Sequence, residues 1–242
     1  MQMIAVTDCR IPPSVSEGLK SRGFSILWLP PHPSLPTPVA SHPDMLIFFT
    51  DHTIITTPQY AEVAKAELAV LTAATGRTLC LAAESVGSVY PRDILFNAAP
   101  VGKTLFCLSD YLSKSILADP SYRVVSVRQG YAKCSVIPVS DRALITADSS
   151  IANAAEKVGL QVLRIAPGFV RLPGYQTGLI GGATSFTPDT AVREIFFCGS
   201  LDDHPQAEDI RQFCRQYGRV AVSLCQAPLS DLGTVFLTER KY

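Results

Sequence analysis

Three aspartates and one cysteine occupy similar positions along the chain, each shortly before a predicted strand. Asp44 and Cys134 each lie nine residues before the start of an apolar strand, and Asp93 lies ten residues before another. Asp231 directly precedes the last apolar segment. Carboxylates that converge from separate parts of a chain form a negative pocket suited to an organic cation, and a thiol beside them is a potential nucleophile. Alternatively, these aspartates face water or pair with arginine where the strands begin.

Polar and glycine residues interrupt two of the predicted strands. Asn97 interrupts the apolar stretch ILFNAA, where a buried amide needs hydrogen-bond partners. It therefore either contacts a ligand or makes a structural hydrogen bond. Gly181 and Gly182 lie inside the predicted strand LIGGATSF, and glycine within a strand marks a bulge or a close approach of the backbone to another group. That group is either a ligand or a tightly packed neighbour.

Two cysteines and one histidine are candidates for catalysis. Lys133 directly precedes Cys134, and a positive charge beside a thiol favours the thiolate. Cys225 ends a predicted strand before the loop APLSD and is the second candidate nucleophile. His42 precedes the pair Pro43-Asp44 and is the candidate acid/base, since an imidazole titrates near neutral pH.

Several other chemistries have no support in the sequence. The histidines and cysteines lack the spacing of metal ligands, and neither a phosphate-binding loop nor GxGxxG follows any predicted strand. We therefore predict no metal and no cofactor. The 21 basic side chains balance 21 acidic ones without a basic block, so nucleic acid and anionic membranes are disfavoured as partners.

Composition indicates a globular chain with one sizeable core. The 242 residues are 47% hydrophobic and 17% charged, which is typical of a folded and well-buried domain. No apolar run approaches the roughly 18 residues that a membrane span requires, and the N-terminus lacks the basic region of a secretory signal. The seven cysteines are scattered without CxxC spacing, which predicts a reducing, cytoplasmic location.

The stretch from Gly130 to Ile165 predicts a strand, a tight turn, a second strand, a helix and a third strand. Asp148 is a suitable N-cap for that helix, because its carboxylate accepts from free amides of the first turn. Gly159 supplies the left-handed residue that ends it. A helix between two neighbouring parallel strands makes a right-handed crossover, so the unit is ββαβ.

The same order of elements recurs five times, which predicts a single domain over residues 1–242. The expected modules cover residues 1–30 together with 231–238, then 42–84, 92–128, 130–166 and 174–225. The N-terminal module lacks a first strand, and the C-terminal segment from Leu232 is left over. We therefore expect the last strand to complete the first module and close a ring, which removes exposed sheet edges. An open, doubly wound sheet is the alternative.

A proline-rich segment, PPHPSLPTPVASHP over residues 30–43, separates the first two modules. Its composition predicts an extended connector rather than a helix or a strand. It is either a stiff surface linker or a lid over one end of the ring.

Five ββαβ modules in a closed ring resemble the pentein fold, also called the guanidine-modifying enzyme fold. The segments GYAKC at Gly130, LPGY…GLIGGATS at Leu172 and DILFNAAPVG at Asp93 are similar to a bacterial family of unknown function assigned to that fold. The resemblance covers essentially the whole chain and implies an α/β, five-bladed β/α propeller closed by the C-terminal strand.

The resemblance also implies a ligand and a chemistry. Pentein enzymes such as arginine and agmatine deiminases, amidinotransferases and dimethylarginine hydrolases attack a guanidinium carbon with a cysteine thiolate, assisted by a histidine, while carboxylates hold the guanidinium nitrogens. The implied partner is a small guanidino or amino-acid-like molecule. The implied roles are nucleophile for Cys134 or Cys225, acid/base for His42, and substrate binding for Asp44, Asp93, Asn97, Lys133, Gly181, Gly182 and Asp231.

This chain departs from those enzymes at two positions. The final strand, where pentein nucleophiles are typically found, reads SDLGTVFL without a cysteine, and the module that usually supplies the histidine reads GYAKC. The resemblance therefore implies a Cys-dependent hydrolase or amidinotransferase without the standard Cys-His pattern. The alternative is a non-catalytic interaction module, as in the ribosome anti-association factor of archaea and eukaryotes, since one fold serves many functions.

Overall fold

The structure is a computed structural model that describes residues 3–187 and 192–240. The predicted module over 174–225 and the ends of the predicted domain therefore extend in part outside the described residues. The strands are β1 Met3–Asp8, β2 Phe24–Leu29, β3 Phe48–Phe49, β4 Thr53–Thr56, β5 Thr78–Leu81, β6 Ala99–Val101, β7 Thr104–Cys107, β8 Arg123–Ser126, β9 Val136–Ser140, β10 Ala143–Thr146, β11 Gln161–Arg164, β12 Ser185–Phe186, β13 Glu194–Phe197, β14 Val220–Ser223 and β15 Val235–Glu239.

Eight α-helices connect these strands, together with short 3-10 turns, among the described residues. They are α1 Pro13–Lys20, α2 Pro43–Leu46, α3 Pro58–Val63, α4 Lys65–Thr75, α5 Lys114–Leu117, α6 Ala132–Ser135, α7 Ser149–Lys157 and α8 Ala207–Gln216. None of the described helices has both the length and the apolar character that crossing a membrane demands. A cytoplasmic location stays a prediction.

The strands form five small sheets, which establish a mixed α/β fold. In the sheets β3-β4-β5, β6-β7-β8 and β9-β10-β11, the first strand is antiparallel to the second and the third is parallel to it. This pairing confirms the ββαβ unit for the three middle modules. The helix α7 begins as predicted, because Asp148 Oδ1 accepts from Ile151 N at 2.9 Å.

The two ends of the chain meet in one sheet. β15 pairs antiparallel with β1, with Ala5 opposite Leu237, and β1 pairs parallel with β2. The C-terminal strand therefore completes the N-terminal unit, as predicted. The last module differs from the prediction, because β13 and β14 form a two-stranded sheet and β12 pairs with β15.

The predicted first strands begin later than the sequence indicates, which corrects that part of the prediction. Residues around Asp44 and Cys134 form the short helices α2 and α6, Asn97 lies at a turn, and residues 179–183 are turns rather than a strand. Threonines at the ends of the second strands stabilise two of these turns. Thr56 Oγ1 donates to Leu46 O at 2.8 Å, and Thr146 Oγ1 donates to Ser135 O at 2.7 Å.

The proline-rich segment is folded back on itself, so the predicted extended conformation is wrong. His32 N donates to Ala40 O at 2.7 Å, and a 3-10 turn spans Thr37–Val39. Leu35 and Val39 are buried. The segment closes into a loop because these apolar side chains pack inward between the prolines.

The junction of β1 and β15 offers a test of how much the pairing of the two terminal strands stabilises the fold. Leu237 is 0% exposed and packs in the core cluster that also holds Ala5, Leu19 and Phe196. We expect Leu237→Ala to lower the free energy of unfolding by about 2–5 kcal/mol, because it leaves a cavity. The matched control is Leu81→Ala on β5, where the side chain is 50% exposed and we expect a loss below about 1 kcal/mol. Equal losses of unfolding free energy in the two variants, measured by chemical denaturation, would contradict this packing.

Candidate functional site

Six side chains from distant segments meet in the interior, and we call them the central cluster. Each is between 0% and 4% exposed. They come from the turns that precede β3, β6, β9 and β15, so the late start of these strands places the cluster. The members are Asp44, Asn97, Lys133, Cys134, Asp231 and Thr234.

Asp44 is the acceptor that connects three of these segments. Its Oδ2 accepts from Cys134 Sγ at 3.1 Å and from Thr234 Oγ1 at 2.8 Å. Its Oδ1 is buried without a hydrogen-bond partner among the described residues. Burial raises the pKa of Asp44, although the bond from Cys134 and the charge of Lys133 act against that rise. A buried carboxylate oxygen without a donor is costly, and it indicates a place for a donor or a positive charge.

Lys133 is almost completely buried, at 2% exposed. Its Nζ donates to Thr234 Oγ1 at 3.3 Å and lies 5.0 Å from the centre of the Phe186 ring. Burial lowers the pKa of Lys133 to about 8, although Asp44, Cys134 and Asp231 favour its charge. The Thr234 hydroxyl thus links the ammonium of Lys133 to the carboxylate of Asp44.

A small cavity lies between Asp44 and Lys133 and a set of aromatic rings. Its volume is about 10 Å³, which is room for one water molecule at most. Asp44 and Lys133 therefore line an almost filled space. The walls are Phe48, Phe49, Phe96, Ala98, Pro100, Phe186 and Phe236.

Cys134 is a thiol that donates a hydrogen bond rather than a thiolate. Burial raises its pKa well above the ordinary value, and the charges of Asp44 and Asp231 raise it further, while the bond from Asn97 lowers it. Desolvation and the two carboxylates thus favour the thiol, and a thiolate at Cys134 stays a prediction.

Asn97 positions the helix that carries Lys133 and Cys134. Its Oδ1 accepts from Lys133 N at 2.7 Å and from Cys134 N at 3.4 Å, and its Nδ2 donates to Cys134 Sγ at 3.2 Å. These bonds confirm the structural alternative for Asn97. Contact with a ligand stays a prediction.

Asp231 and His42 are neighbours, and neither is among the residues that line the aromatic cavity. Asp231 accepts from Leu179 N at 2.9 Å and from Gly233 N at 3.0 Å. His42 Nδ1 is 3.9 Å from Asp231 Oδ1, and Nε2 is 3.8 Å from Asp8 Oδ2. Burial lowers the pKa of His42 despite both carboxylates, so the neutral imidazole is favoured. His42 therefore contacts Asp231 and Asp8, a residue that the sequence did not single out.

Glycines allow the last loop to approach the cluster. A Cβ on Gly181 would lie 2.5 Å from the Lys133 carbonyl oxygen, and a Cβ on Gly182 would overlap Asp231 Oδ1. The tight-packing alternative for these glycines is thus confirmed. Thr234 follows at φ 65°, a strained conformation for a β-branched residue. Its hydroxyl oxygen, which carries a single proton, lies 2.8 Å from Asp44 Oδ2, with the Gly181 carbonyl as a second acceptor at 3.2 Å, and this bonding compensates for the strain. No sequence pattern pointed to Thr234.

Asp93 and Cys225 are predicted site residues whose contacts lie away from the central cluster. Asp93 Oδ2 accepts from Tyr131 Oη at 2.7 Å, and its Oδ1 is buried without a partner among the described residues. Burial and this bond raise the pKa of Tyr131. Cys225 is partly buried against the apolar core cluster that contains Leu224, so the structure does not bring it to Asp44.

Comparison with solved structures identifies the fold class. SxtG, an amidinotransferase from Microseira wollei in the saxitoxin biosynthetic pathway, is similar with a TM-score of 0.51 and 11% identity over 95% of this chain and 82% of that one. DDAH from Pseudomonas aeruginosa, complexed with citrulline, is similar with a TM-score of 0.54 and 10% identity over 92% of this chain and 91% of that one. A substrate-bound agmatine deiminase from C. jejuni has a TM-score of 0.50 and 7% identity over 99% of this chain and 93% of that one. The chain thus has the mixed α/β fold of pentein proteins.

The sequence itself identifies the family. Residues 6–236 match the profile of a family of unknown function, DUF6873, and the chain belongs to that family. No protein of curated function matches it. The expected family of unknown function is therefore confirmed, and its fold is that of the pentein structures above.

The buried ammonium of Lys133 predicts an unusual dependence of stability on pH. Its pKa is about 8 in the folded protein and 10.5 ordinarily, so the unfolded chain binds more protons between these values and stability rises with pH. Relative to Lys133→Met, we expect the wild-type free energy of unfolding to rise by about 3 kcal/mol between pH 8 and 10.5. The control Lys65→Met, at an exposed lysine, should keep the wild-type profile. If the free energy of unfolding changed with pH in the same way in the wild type and in Lys133→Met, the lowered pKa of Lys133 would be refuted.

Proposed function

We propose that this protein binds a small guanidino or amino-acid-like cation at the central cluster and that Asp44 receives its positive charge. The observation that carries the proposal is Asp44 Oδ1, which is buried, lacks a partner among the described residues and belongs to a residue that lines the small cavity. A cation with N–H donors satisfies that oxygen, whereas a neutral apolar ligand leaves it unpaired.

The walls of the cavity suit a positive charge. Aromatic faces attract cations, most strongly where water is excluded, and five phenylalanines surround Asp44 and Lys133. The Lys133 ammonium already lies 5.0 Å from the centre of the Phe186 ring. The site is thus suited to an ammonium or a guanidinium, and the side chain of Lys133 is the cation that it already holds.

An external cation competes with Lys133 for this space. The cavity of about 10 Å³ does not hold a guanidinium until the lysine side chain moves. Because the pKa of Lys133 is only about 8, the lysine loses its proton at modest cost when a second cation approaches. Binding therefore releases a proton, and affinity rises with pH up to that value.

The arrangement of the sheets is part of the proposal. We assign the five sheets as blades of a β/α propeller around one axis, closed by the pairing of β15 with β1. Four turns from different parts of the chain supply the central cluster, which supports an axial site. The similar structures include one with citrulline and one with an agmatine deiminase substrate, which supports a small guanidino-type ligand. The three are named as enzymes, so they do not favour a non-catalytic interaction module.

For catalysis we assign Cys134 as the nucleophile rather than Cys225. The Sγ proton passes to Asp44 Oδ2, 3.1 Å away, as Sγ bonds to the guanidinium carbon. A carbon–nitrogen bond then breaks, and the amine leaves with the proton that Asp44 returns. Water next displaces the carbon from sulfur to give a ureido product, and Asp44 takes a proton from the water and passes it to Sγ. An acceptor amine that loses a proton by the same route gives a new guanidine instead. Asp44 thus takes the acid/base role expected of His42.

Ligand binding tests the role of Asp44. We expect arginine and methylguanidine to raise the melting temperature of the wild type, since a ligand that binds only the folded state stabilises it. Asp44→Asn should abolish this shift, and Asp110→Asn, at an exposed aspartate, should keep it. Calorimetry below pH 8 should show affinity that increases about tenfold per pH unit, because one proton is released. A shift that persists in Asp44→Asn would refute the proposal.

Thiol labelling tests the role of Cys134. Chloroacetamidine carries the amidinium charge, whereas chloroacetamide is neutral and has the same leaving group and nearly the same shape. We expect the cationic reagent to label Cys134 preferentially, and the neutral one to label exposed Cys9. Asp44→Asn should remove the preference for Cys134, because the cation then lacks its acceptor. Equal labelling of the two cysteines by chloroacetamidine, read by peptide mass spectrometry, would count against catalysis by Cys134.

A further inference from the structure

A second and larger cavity lies at the hairpin turns, and we call it the vestibule. Its volume is about 370 Å³, which is within the range of small-molecule sites. Asp51 lies in the turn between β3 and β4, and Asp141 in the turn between β9 and β10. Its walls include Asp51, Tyr122, Asp141, Glu194, Tyr217 and Arg219.

The vestibule adjoins the central cluster through a thin wall. Phe49, Pro100 and Phe186 line both the vestibule and the small cavity at Asp44 and Lys133. A ligand that passes these three side chains therefore reaches the small cavity that Asp44 lines. This route starts at the hairpin turns.

The charges of the vestibule favour a cation. Three carboxylates line it, at Asp51, Asp141 and Glu194, against one guanidinium at Arg219. The negative charge of Glu194 acts on Arg219, so the guanidinium offsets one of the three negative charges. The excess negative charge of a concave surface attracts cations and raises their local concentration. Tyr122 and Tyr217 add aromatic surface for the body of a ligand.

We propose that the vestibule is the entrance and a second subsite for the ligand of the central cluster, and that this ligand is an elongated dication. One guanidinium or ammonium group binds Asp44, an alkyl chain lies between the aromatic side chains, and a second positive group lies among Asp51, Asp141 and Glu194. The inference rests on the proposed function and adds a ligand class and a direction of entrance to it. The observation specific to it is an acidic cavity that shares Phe49, Pro100 and Phe186 with the small cavity at Asp44.

The test compares two ligands that differ only in their second charge. Butylguanidine and aminobutylguanidine share the head group and the chain, and the second carries a terminal ammonium. In calorimetry on the full chain, we expect aminobutylguanidine to bind the wild type about tenfold more tightly, since each exposed charge pair contributes up to about fivefold. The preference should shrink at high salt, because salt screens exposed charges.

Substitutions separate the two subsites. The triple variant Asp51→Asn, Asp141→Asn and Glu194→Gln should bring the two ligands within about twofold of each other, because aminobutylguanidine loses the partners of its second charge and therefore loses more affinity than butylguanidine. Asp44→Asn should abolish binding of both. The matched control is Asp202→Asn with Asp203→Asn and Glu208→Gln, which are exposed residues outside the vestibule lining, and it should keep the wild-type preference.

The outcomes distinguish this inference from the proposed function. If the wild type binds both ligands equally, or if the triple variant keeps the preference, the vestibule assignment is wrong while the role of Asp44 stands. If Asp44→Asn binds both ligands as the wild type does, the central-cluster proposal is wrong. If the wild type binds neither ligand, both are overturned. Circular dichroism of each variant confirms that it is folded.

Discussion

Most of the interior geometry depends on one carboxylate that accepts from two distant parts of the chain. Asp44 Oδ2 is bound by Cys134 Sγ and Thr234 Oγ1, which lie 90 and 190 residues away in sequence. Because a buried acceptor without partners is costly, these donors are held where the acceptor requires them. The turns before β3, β9 and β15 follow from that requirement, as does the strained backbone of Thr234.

The low polarity around this carboxylate couples the protonation states of its neighbours. Burial raises the pKa of Asp44 and of Cys134 and lowers that of Lys133. All three shifts favour neutral groups, as expected where water is excluded. The same environment that protects the thiol as a donor gives a strong advantage to any cation that reaches Asp44. The arrangement of the central cluster and its proposed chemistry therefore have one cause, which is the exclusion of water from a small acidic centre.

The repeated units and the central cluster follow different rules. The outer parts of the modules keep the ββαβ pairing, and a threonine at the end of β4 and of β10 supports the turn before β3 and β9 in the same way. At the centre the units diverge, because comparable positions hold different groups. These groups are a carboxylate, an amide, a lysine–cysteine pair and a glycine pair. Such divergence is what allows a symmetric scaffold to hold an asymmetric site.

The sequence by itself determined the ββαβ order of the middle units, the pairing of the C-terminal strand with β1, and the convergence of Asp44, Cys134 and Asp231. These results depend on local periodicity, caps and spacing, which adjacent residues carry. Only the tertiary structure decided that Asn97 supports the α6 backbone, that Lys133 fills the centre, that Cys225 lies apart, and that Asp8 and Thr234 belong beside the site. Those features arise from contacts between segments far apart in sequence and from burial, and no local pattern encodes either of them.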